Sequence, residues 1–344
     1  MPYANLSQAT SPFTRRNLLS LTGTVGALGL LSACGGVKTS GGDSGSGEFP
    51  AKDIEMTVGF APGGSTDVMT RALTDPVGKA LGVTLPVINT PGANGVLAAK
   101  ELTQAEPDGY TVGTVNASTF MITPLAVSEN EKVDIDELDI VMGFTQDDYV
   151  LVVHSDSDYS SIDDLKGAEG SLKYGTTGVG SGAQLCAALT FAMAEIDAED
   201  VPFEGDAPAL TAILGQQVDA ASVQLAAAKE YLDTGDIRAV AVYSEEPVEE
   251  IPDVKTAREQ GLDFFVSQFR TLCVPKGTDD EAKDVLRDAF MEAAQADAFV
   301  TFCEERLLQP TVYEAEEMTQ MLKDAKERYT ELVDEYGIDL ASNA

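Results

Sequence analysis

The residues with the clearest capacity for chemistry form a short loop at positions 62–67, with the sequence PGGSTD. The loop follows a largely apolar run at residues 56–60 and precedes a stretch with helical character. Its two glycines allow a tight turn and a close approach of a ligand to the backbone. Ser65, Thr66 or Asp67 can cap a helix whose unpaired N–H groups carry partial positive charge. The segment therefore predicts a binding site for an anion.

The charge of the whole chain has the opposite sign. The sequence contains 57 acidic and 22 Lys or Arg residues, with a formal net charge of −35. Such a field repels nucleic acid and anionic lipid head groups, so no nucleic-acid partner is expected. The acidity is typical of a surface suited to a saline or crowded exterior. An anion site in this protein must therefore use short-range donors.

The N-terminal residues indicate export. Residues 14–19, TRRNLL, have the form of a twin-arginine signal and precede a mildly apolar stretch that is too short to span a membrane. Residues 31–34, LSAC, have the form of a lipoprotein cleavage site, which predicts a signal peptide over 1–33 and a lipid on Cys34. The alternative is a chance Arg pair before an apolar segment. Residues 34–50 are rich in Gly and Ser and predict a flexible tether. We expect an extracytoplasmic protein, anchored to the membrane by lipid, in a periplasm or on a cell surface.

The remaining cysteines argue against metal or redox chemistry. Cys186, Cys273 and Cys303 are odd in number and show no C-x-x-C spacing. Twin-arginine substrates fold in a reducing cytoplasm before export, so buried free thiols are expected, with a Cys273 to Cys303 disulfide as the alternative. No metal and no cofactor is predicted.

Short apolar runs alternate with longer amphipathic stretches, which predicts an α/β fold with mostly parallel sheets. About 295 residues follow the tether, enough for two lobes. Pro76 falls inside the first helix and predicts a kink or a restart there, with Asp75 as a new cap. The predicted strands are 55–60, 85–88, 111–115, 150–154, 173–175, 220–223, 239–243 and 269–274. The predicted helices are 66–81, 95–105, 182–195, 208–214, 279–294 and 315–336.

Several motifs carry a family resemblance, in order and from about residue 56 to the C-terminal helix. They are VGFAPGGSTD at 58–67, NTPGANG at 89–95, PDGYT at 107–111, GVGSG at 178–182, VPFEGDAPAL at 201–210, GQQVD at 215–219, IRAVAV at 237–242 and PDV at 252–254. Together they resemble the substrate-binding receptors of tripartite tricarboxylate transporters, the Bug group of periplasmic binding proteins.

The resemblance implies a two-lobed fold of the periplasmic-binding-protein type II, with a hinge between the lobes. It places lobe 1 at 51–149 plus 267–344 and lobe 2 at 150–266. It also implies a monomer that closes on a small carboxylate, such as a di- or tricarboxylate, and delivers it to the large and small membrane subunits of an ion-driven transporter. No ATP and no catalysis are implied.

The resemblance also implies where the carboxylate binds. In the family, backbone N–H groups, hydroxyls and water from one loop of each lobe hold the ligand. Both loops here precede predicted helices, at the strand ends where α/β sheets bind ligands. The residues carried over are Pro62, Gly63, Gly64, Ser65, Thr66 and Asp67 in the first loop, and Thr177, Gly178, Gly180, Ser181 and Gly182, with Gly205 and Asp206, in lobe 2.

Individual side chains leave alternatives open. Asp67 can read an amine or hydroxyl of the ligand, or cap its helix and pair with Arg71. Ser118 and Gln224 follow strands, where they contact ligand or serve as ordinary turn residues. Arg270 can clamp a distal carboxylate or form a structural ion pair. Glu204 stands where the family commonly has a basic residue, so it either disfavours further carboxylates in the cleft or lies on a solvated face.

Two other classes of function compete with binding. Residues 178–183 fit a loose G-x-G-x-x-A, with Asp197 and Asp200 near the distance of a ribose-binding acid, which would suit a nucleotide-cofactor enzyme. A serine hydrolase needs a base, but His154 is the sole histidine and no G-x-S-x-G motif surrounds Ser65 or Ser181. A structural adhesin would explain the lipid anchor but not the paired glycine loops. Carboxylate binding is therefore the preferred interpretation.

Overall fold

The structure is a computed structural model that describes residues 49–168 and 170–341. The predicted signal peptide, Cys34 and the tether up to residue 48 lie outside the described residues. The strands are β1 (Glu55–Val58), β2 (Val87–Asn89), β3 (Thr111–Asn116), β4 (Leu138–His154), β5 (Leu172–Thr176), β6 (Ala198–Pro202), β7 (Ala220–Gln224), β8 (Ile237–Val242), β9 (Ser267–Pro275) and β10 (Tyr313–Glu314). The helices are α1 (Ser65–Leu81), α2 (Val96–Thr103), α3 (Ser118–Met121), α4 (Thr123–Ala126), α5 (Ile162–Leu165), α6 (Gly182–Met193), α7 (Asp206–Leu214), α8 (Leu225–Thr234), α9 (Asp280–Gln295), α10 (Asp297–Glu304) and α11 (Ala315–Glu335).

The strands confirm the α/β class. Their pairing is mixed, with two parallel sets and antiparallel strands between them. Their order is β2-β1-β3-β9-β4-β7-β5-β6, and β8 and β10 also pair with β4. β1 is parallel to β2 and β3, and β5 is parallel to β6 and β7. β9 is antiparallel to β3 and β4, and β4 is antiparallel to β7 and β8. Within each parallel set, crossover helices connect the strands. The two long strands, β4 and β9, lie between the sets and pair antiparallel with their neighbours.

Strand β4 joins the two halves of the sheet. Its first part, residues 138–148, pairs with β9, and its last part, residues 149–154, pairs with β7 and β8. The sequence indicated only its end, because Asp139, Gln146, Asp147 and Asp148 interrupt the apolar pattern of its first part. The strand consequently brings acidic side chains to the junction between the two parallel sets.

Helix α1 follows the glycine loop and packs on the sheet through a buried face that includes Met69, Leu73 and Val77. The helix continues through Pro76, so the predicted restart with Asp75 as a cap is wrong. Pro76 has no N–H to donate to the carbonyl four residues earlier. Because Pro76 is exposed, water can bond that carbonyl instead. Gly82, in the left-handed conformation, ends the helix.

The prediction did not contain β6, α8 or α10, nor the very short elements α3, α4, α5 and β10. β6 has the sequence AEDVP and is at best half-buried, so it shows no apolar run. Helices α8 and α10 are short, with few fully buried side chains to mark a helical stripe.

The three cysteines beyond the tether are free and buried, as predicted, and the alternative disulfide between Cys273 and Cys303 is not formed. Among the described residues, no helix combines the length and the apolar content that crossing a membrane requires.

The end of β1 and the 89–95 loop approach so closely that Gly59 has no room for a side chain. A Cβ on Gly59 would lie 2.6 Å from the Cα of Gly95. We therefore expect Gly59→Ala to lower the free energy of unfolding by about 1–3 kcal/mol, because backbone must shift to admit the methyl group. Denaturant unfolding measures this change. Ala61→Ser, which adds one atom to an exposed residue nearby, is the control, and equal stability of the two variants would contradict the proposed close approach.

Candidate functional site

The first glycine loop is fixed by the carboxylate of Asp67. This buried group accepts hydrogen bonds from Gly63 N at 2.8 Å, Arg71 Nε at 2.9 Å and Asn89 Nδ2 at 2.9 Å. Burial opposes ionisation of Asp67, but the hydrogen bonds from Arg71, Gly63 and Asn89 outweigh it and lower the pKa of the carboxyl. Both oxygens of Asp67 are thus engaged within the protein. The predicted capping of α1 by Ser65, Thr66 or Asp67 is wrong, because Gly64 is the N-cap and no side chain makes a cap hydrogen bond there. The pairing with Arg71 one helical turn later is present.

The start of α1 is attached to the sheet by a second polar contact. Thr66 is buried, and its hydroxyl donates to Asn116 Oδ1 at 3.1 Å. Gly64 precedes the helix in an extended conformation, Pro62 and Gly63 are exposed, and Ser65 is half-buried. The first N–H groups of a helix have no intrahelical acceptor, so this end of α1 offers oriented donors to an anion.

Arg270 lies at this helix terminus. Its side chain is fully buried on β9, and its Nη2 donates to Ser65 Oγ at 2.9 Å and to Gln224 Oε1 at 3.1 Å. The same nitrogen lies 3.4 Å from Asp147 Oδ2. Nε and Nη1 have no hydrogen-bond partner among the described residues. The fold thus unites three residues that the sequence placed in the site, Ser65, Gln224 and Arg270, from positions 46 to 205 residues apart.

Asp147 is a site residue that the sequence analysis missed. It is fully buried, and burial raises its pKa to about 7; Arg270 opposes that shift, and Asp148 and Asp206 add to it. Its Oδ1 has no hydrogen-bond partner among the described residues. The available signal was a pair of acids directly before the apolar run at 149–153.

Asp206 lies close to this cluster. It opens α7 after Gly205, whose φ of 112° is a conformation that favours glycine. Its Oδ1 accepts from Gln224 N at 2.9 Å. Burial raises the pKa of Asp206, although the backbone bond from Gln224 and the charge of Arg270 favour its ionised form.

The second glycine loop is equally well fixed. Gly178 and Gly180 have φ of 119° and 72°. The hydroxyl of Ser181 accepts from Gln184 N at 3.2 Å and caps α6. A Cβ on Gly182 would lie 2.4 Å from the ring of Tyr149. Thr177 and Gly178 are half-buried.

Gln184, absent from the sequence prediction, holds this loop in place. Its Oε1 accepts from Gly180 N at 2.8 Å, and its Nε2 donates to Asp200 Oδ2 at 2.9 Å and to Leu340 O at 3.1 Å. The residues following α11 therefore reach the base of the second loop.

A further polar contact joins the second loop to the 89–95 loop. Asn94 Nδ2 lies 3.0 Å from Gly180 O and 3.1 Å from Ser118 Oγ. Ser118 also accepts from Gln268 Nε2 at 3.2 Å. Asn94 itself has a φ of 52°, which asparagine tolerates better than most residues. Ser118 and Gly180, both predicted site residues, are thus connected through residues that the prediction did not contain.

The residues invoked for catalysis do not assemble. His154 Nδ1 accepts from Asp156 N at 3.1 Å and lies 3.1 Å from Gln216 Nε2, while Ser181 caps α6. Asp200 is engaged by Thr176 and Gln184 rather than free to hold a ribose. Glu204 is exposed, which favours the solvated-face alternative. Among residues 49–168 and 170–341, no group of three His, Cys, Asp or Glu side chains is arranged to hold a metal ion.

The sequence and the fold of the chain are similar to those of known proteins. Residues 69–338 match the model of the tripartite tricarboxylate transporter family receptor. The chain is 28% identical over 298 residues to protein BugT of Bordetella pertussis, covering 85% of this chain and 91% of BugT. It is similar to the solved structure of MatC from Rhodopseudomonas palustris with bound malate, with 26% identity, a TM-score of 0.75 and coverage of 83% and 100% of the two chains. The periplasmic binding protein BugD shares the fold, with 23% identity, a TM-score of 0.76 and coverage of 85% and 99%.

Removal of the Asp67 carboxylate tests its structural role. We expect Asp67→Ala to lower the free energy of unfolding by about 1–3 kcal/mol, since it removes a buried, charged acceptor of the hydrogen bonds from Gly63, Arg71 and Asn89. Asp75→Ala, at an exposed position of the same helix, should change stability by less than about 0.5 kcal/mol. Urea unfolding of both variants measures the difference, and a loss of similar size in each would contradict this role.

The buried carboxyl of Asp147 predicts a pH dependence of stability. Its folded-state pKa of about 7 lies above the ordinary value of 3.8, so the native state binds the proton more tightly than the unfolded chain. The resulting stabilisation is complete below pH 3.8 and is lost as pH rises through 7. Relative to Asp147→Asn, the wild-type protein should therefore lose several degrees of Tm between about pH 5 and 8. Calorimetry of both proteins checks this, and a constant difference in Tm across that range would contradict it.

Proposed function

The chain belongs to the tripartite tricarboxylate transporter receptor family, a family of solute-binding proteins rather than enzymes, and on that premise we propose that it captures a small carboxylate. The carboxylate binds between the N-terminus of α1 and the guanidinium of Arg270, opposite the second glycine loop. The alternative of an exported enzyme has no support in the positions of His154 and Ser181.

One observation carries this proposal. The guanidinium of Arg270 is fully buried beside Ser65, at the positive end of α1, and two of its three nitrogens have no hydrogen-bond partner among the described residues. Its nearest carboxylate, Asp147, has a pKa raised to about 7 by burial. Near neutral pH Asp147 is therefore only partly ionised and balances the charge of Arg270 incompletely. Buried guanidinium groups require hydrogen-bonded partners, and a carboxylate matches their donor geometry. A bound carboxylate would supply the missing charge.

The relatives support the chemical class of the ligand. The MatC structure, 26% identical to this chain, contains malate. Malate is a four-carbon acid with two carboxylates, so one can bind at the helix terminus while the other lies deeper in the cleft. Backbone N–H groups recognise any carboxylate, and the side chains around Arg270 then select among acids.

We also propose that capture involves closure of two lobes, 51–149 plus 267–344 and 150–266. Hydrogen bonds join residues of different lobes under this division, among them the one from Gln184 Nε2 to Leu340 O. Arg270 Nη2 binds Gln224 Oε1, and Asn94 Nδ2 binds Gly180 O. A ligand that contacts both glycine loops would favour the closed form through its additional contacts in that form.

The location and partners of the receptor follow from the proposal. Family receptors are extracytoplasmic, and the twin-arginine and lipoprotein motifs would tether this one to the membrane through Cys34. There a monomer would pass its ligand to the large and small membrane subunits of an ion-driven transporter.

Ligand binding is expected to raise the Tm of the purified protein. A ligand at 100 times its Kd stabilises the native state by about 2.7 kcal/mol, which corresponds to several degrees. Thermal unfolding with a panel of mono-, di- and tricarboxylates, together with native mass spectrometry of a retained acid, provides the measurement. The expected result is a shift with at least one acid and no turnover.

Gly64→Val tests where the acid binds. Gly64 has φ −70° and ψ 164°, so valine fits the backbone, but its side chain would cover the first N–H groups of α1. Ala296→Val is a matched control, at an exposed N-cap of α10 with φ −68° and ψ 140°. We expect Gly64→Val to abolish the ligand-induced shift and Ala296→Val to keep it. Binding by a folded Gly64→Val protein at wild-type affinity would exclude this helix terminus from the site.

A further inference from the structure

Three neighbouring residues in the middle of the sheet hold polar atoms that have no hydrogen-bond partner among the described residues. The atoms are Thr145 Oγ1, Asp147 Oδ1, Arg270 Nε and Arg270 Nη1. Thr145 is directly opposite Arg270 in the pairing of β4 with β9. Asp147 lies two residues further along β4, on the same face of the sheet, because side chains alternate along a strand. All three residues are at most 1% exposed, and buried polar groups in native proteins almost always have partners.

These atoms require a partner of mixed character. The two nitrogens of Arg270 are donors only, Asp147 Oδ1 is an acceptor when ionised, and the Thr145 hydroxyl serves as either. A plain carboxylate would satisfy Arg270, but above the Asp147 pKa of about 7, where Asp147 is ionised, its oxygens would face a carboxylate oxygen of Asp147. An acid with a donor on the carbon next to its carboxylate presents an acceptor and a donor side by side.

The surrounding charges favour the same ligand. The charged groups that face Asp147 are Arg270 from β9, Asp148 from its own strand and Asp206 from α7. Arg270 is therefore the one cation among these groups, and two further carboxylates disfavour a second anionic group at this point. A hydroxyl or an ammonium group fits beside Asp147 without that repulsion.

Building on the proposed function, we infer that the bound carboxylate carries a hydrogen-bond donor on its neighbouring carbon, as in 2-hydroxy and 2-amino acids. Arg270 holds the carboxylate, and Asp147 accepts the hydrogen bond from the donor. A site with an acceptor fixed in this way discriminates against the analogue that lacks the donor, because the acceptor is then left buried and unpaired.

Calorimetric titration of matched acids at about pH 8, where Asp147 with its pKa of about 7 is ionised, tests this specificity. The probes are three sets that differ only at the second carbon: propionate, lactate and alanine; succinate, malate and aspartate; glutarate, 2-hydroxyglutarate and glutamate. In at least one set, the hydroxy or amino acid should bind at least about tenfold more tightly than the unsubstituted acid. Asp147→Asn should reduce that preference to less than about threefold, since the amide is a weaker acceptor without charge.

Asp148→Asn is the matched control. Asp148 is also buried, but its oxygens accept from Ser267 Oγ at 3.3 Å and Gln309 Nε2 at 3.0 Å, so this variant should keep the preference. Unsubstituted acids that bind as tightly as their hydroxy and amino counterparts would overturn the inference while leaving carboxylate capture intact, and would indicate that water satisfies Asp147. A preference that persists in Asp147→Asn would also overturn it. If no acid in the three sets or in the wider carboxylate panel binds, the proposed function itself fails.

Discussion

The structure depends on one positive charge buried in the middle of its sheet. Transferring a guanidinium from water to a protein interior costs several kcal/mol unless partners compensate, and three separate segments converge on Arg270 to provide them. Ser65 comes from the first glycine loop, Gln224 from the end of β7 and Asp147 from the long strand β4. The compensation is incomplete, because two nitrogens of Arg270 and one oxygen of Asp147 have no partner among the described residues. Fold and binding site therefore share one electrostatic requirement, which an organic acid can complete.

The strongly acidic surface is compatible with an anion site of this kind. Salt screens exposed charges beyond about 10 Å, whereas a buried guanidinium and the terminus of a helix act at hydrogen-bond distance. The net charge of −35 then affects solubility and the approach of the ligand more than its retention. The two glycine loops themselves need little reorganisation, because both are held by buried side chains. Asp67 fixes the first loop, and Gln184 fixes the second. A loop ordered beforehand loses little entropy when the ligand arrives.

The sequence predicted those parts of the fold and of the site whose signals are local. The turn before α1 and the pairing of Asp67 with Arg71 at i+4 each depend on residues within a few positions of one another. The same holds for the alternation of apolar runs and amphipathic helices, which predicted the α/β class. Pro76 shows the limit of a local rule, because the helix continues when the proline faces solvent.

The tertiary structure decided which distant side chains meet. Gln184 and Asn94 gave no signal, and Asp147 gave only the weak one of an acid pair before an apolar run, since a single polar residue in a strand, a helix or a turn carries no local mark of its partner. Their partners lie up to 156 residues away, as for Gln184 and Leu340. The sequence by itself thus determined an acidic α/β protein with two glycine loops before helices, which it predicted as a carboxylate site. Only the fold decided that Arg270 and Asp147 meet beside the first loop, because the antiparallel register of β4 against β9 sets that contact.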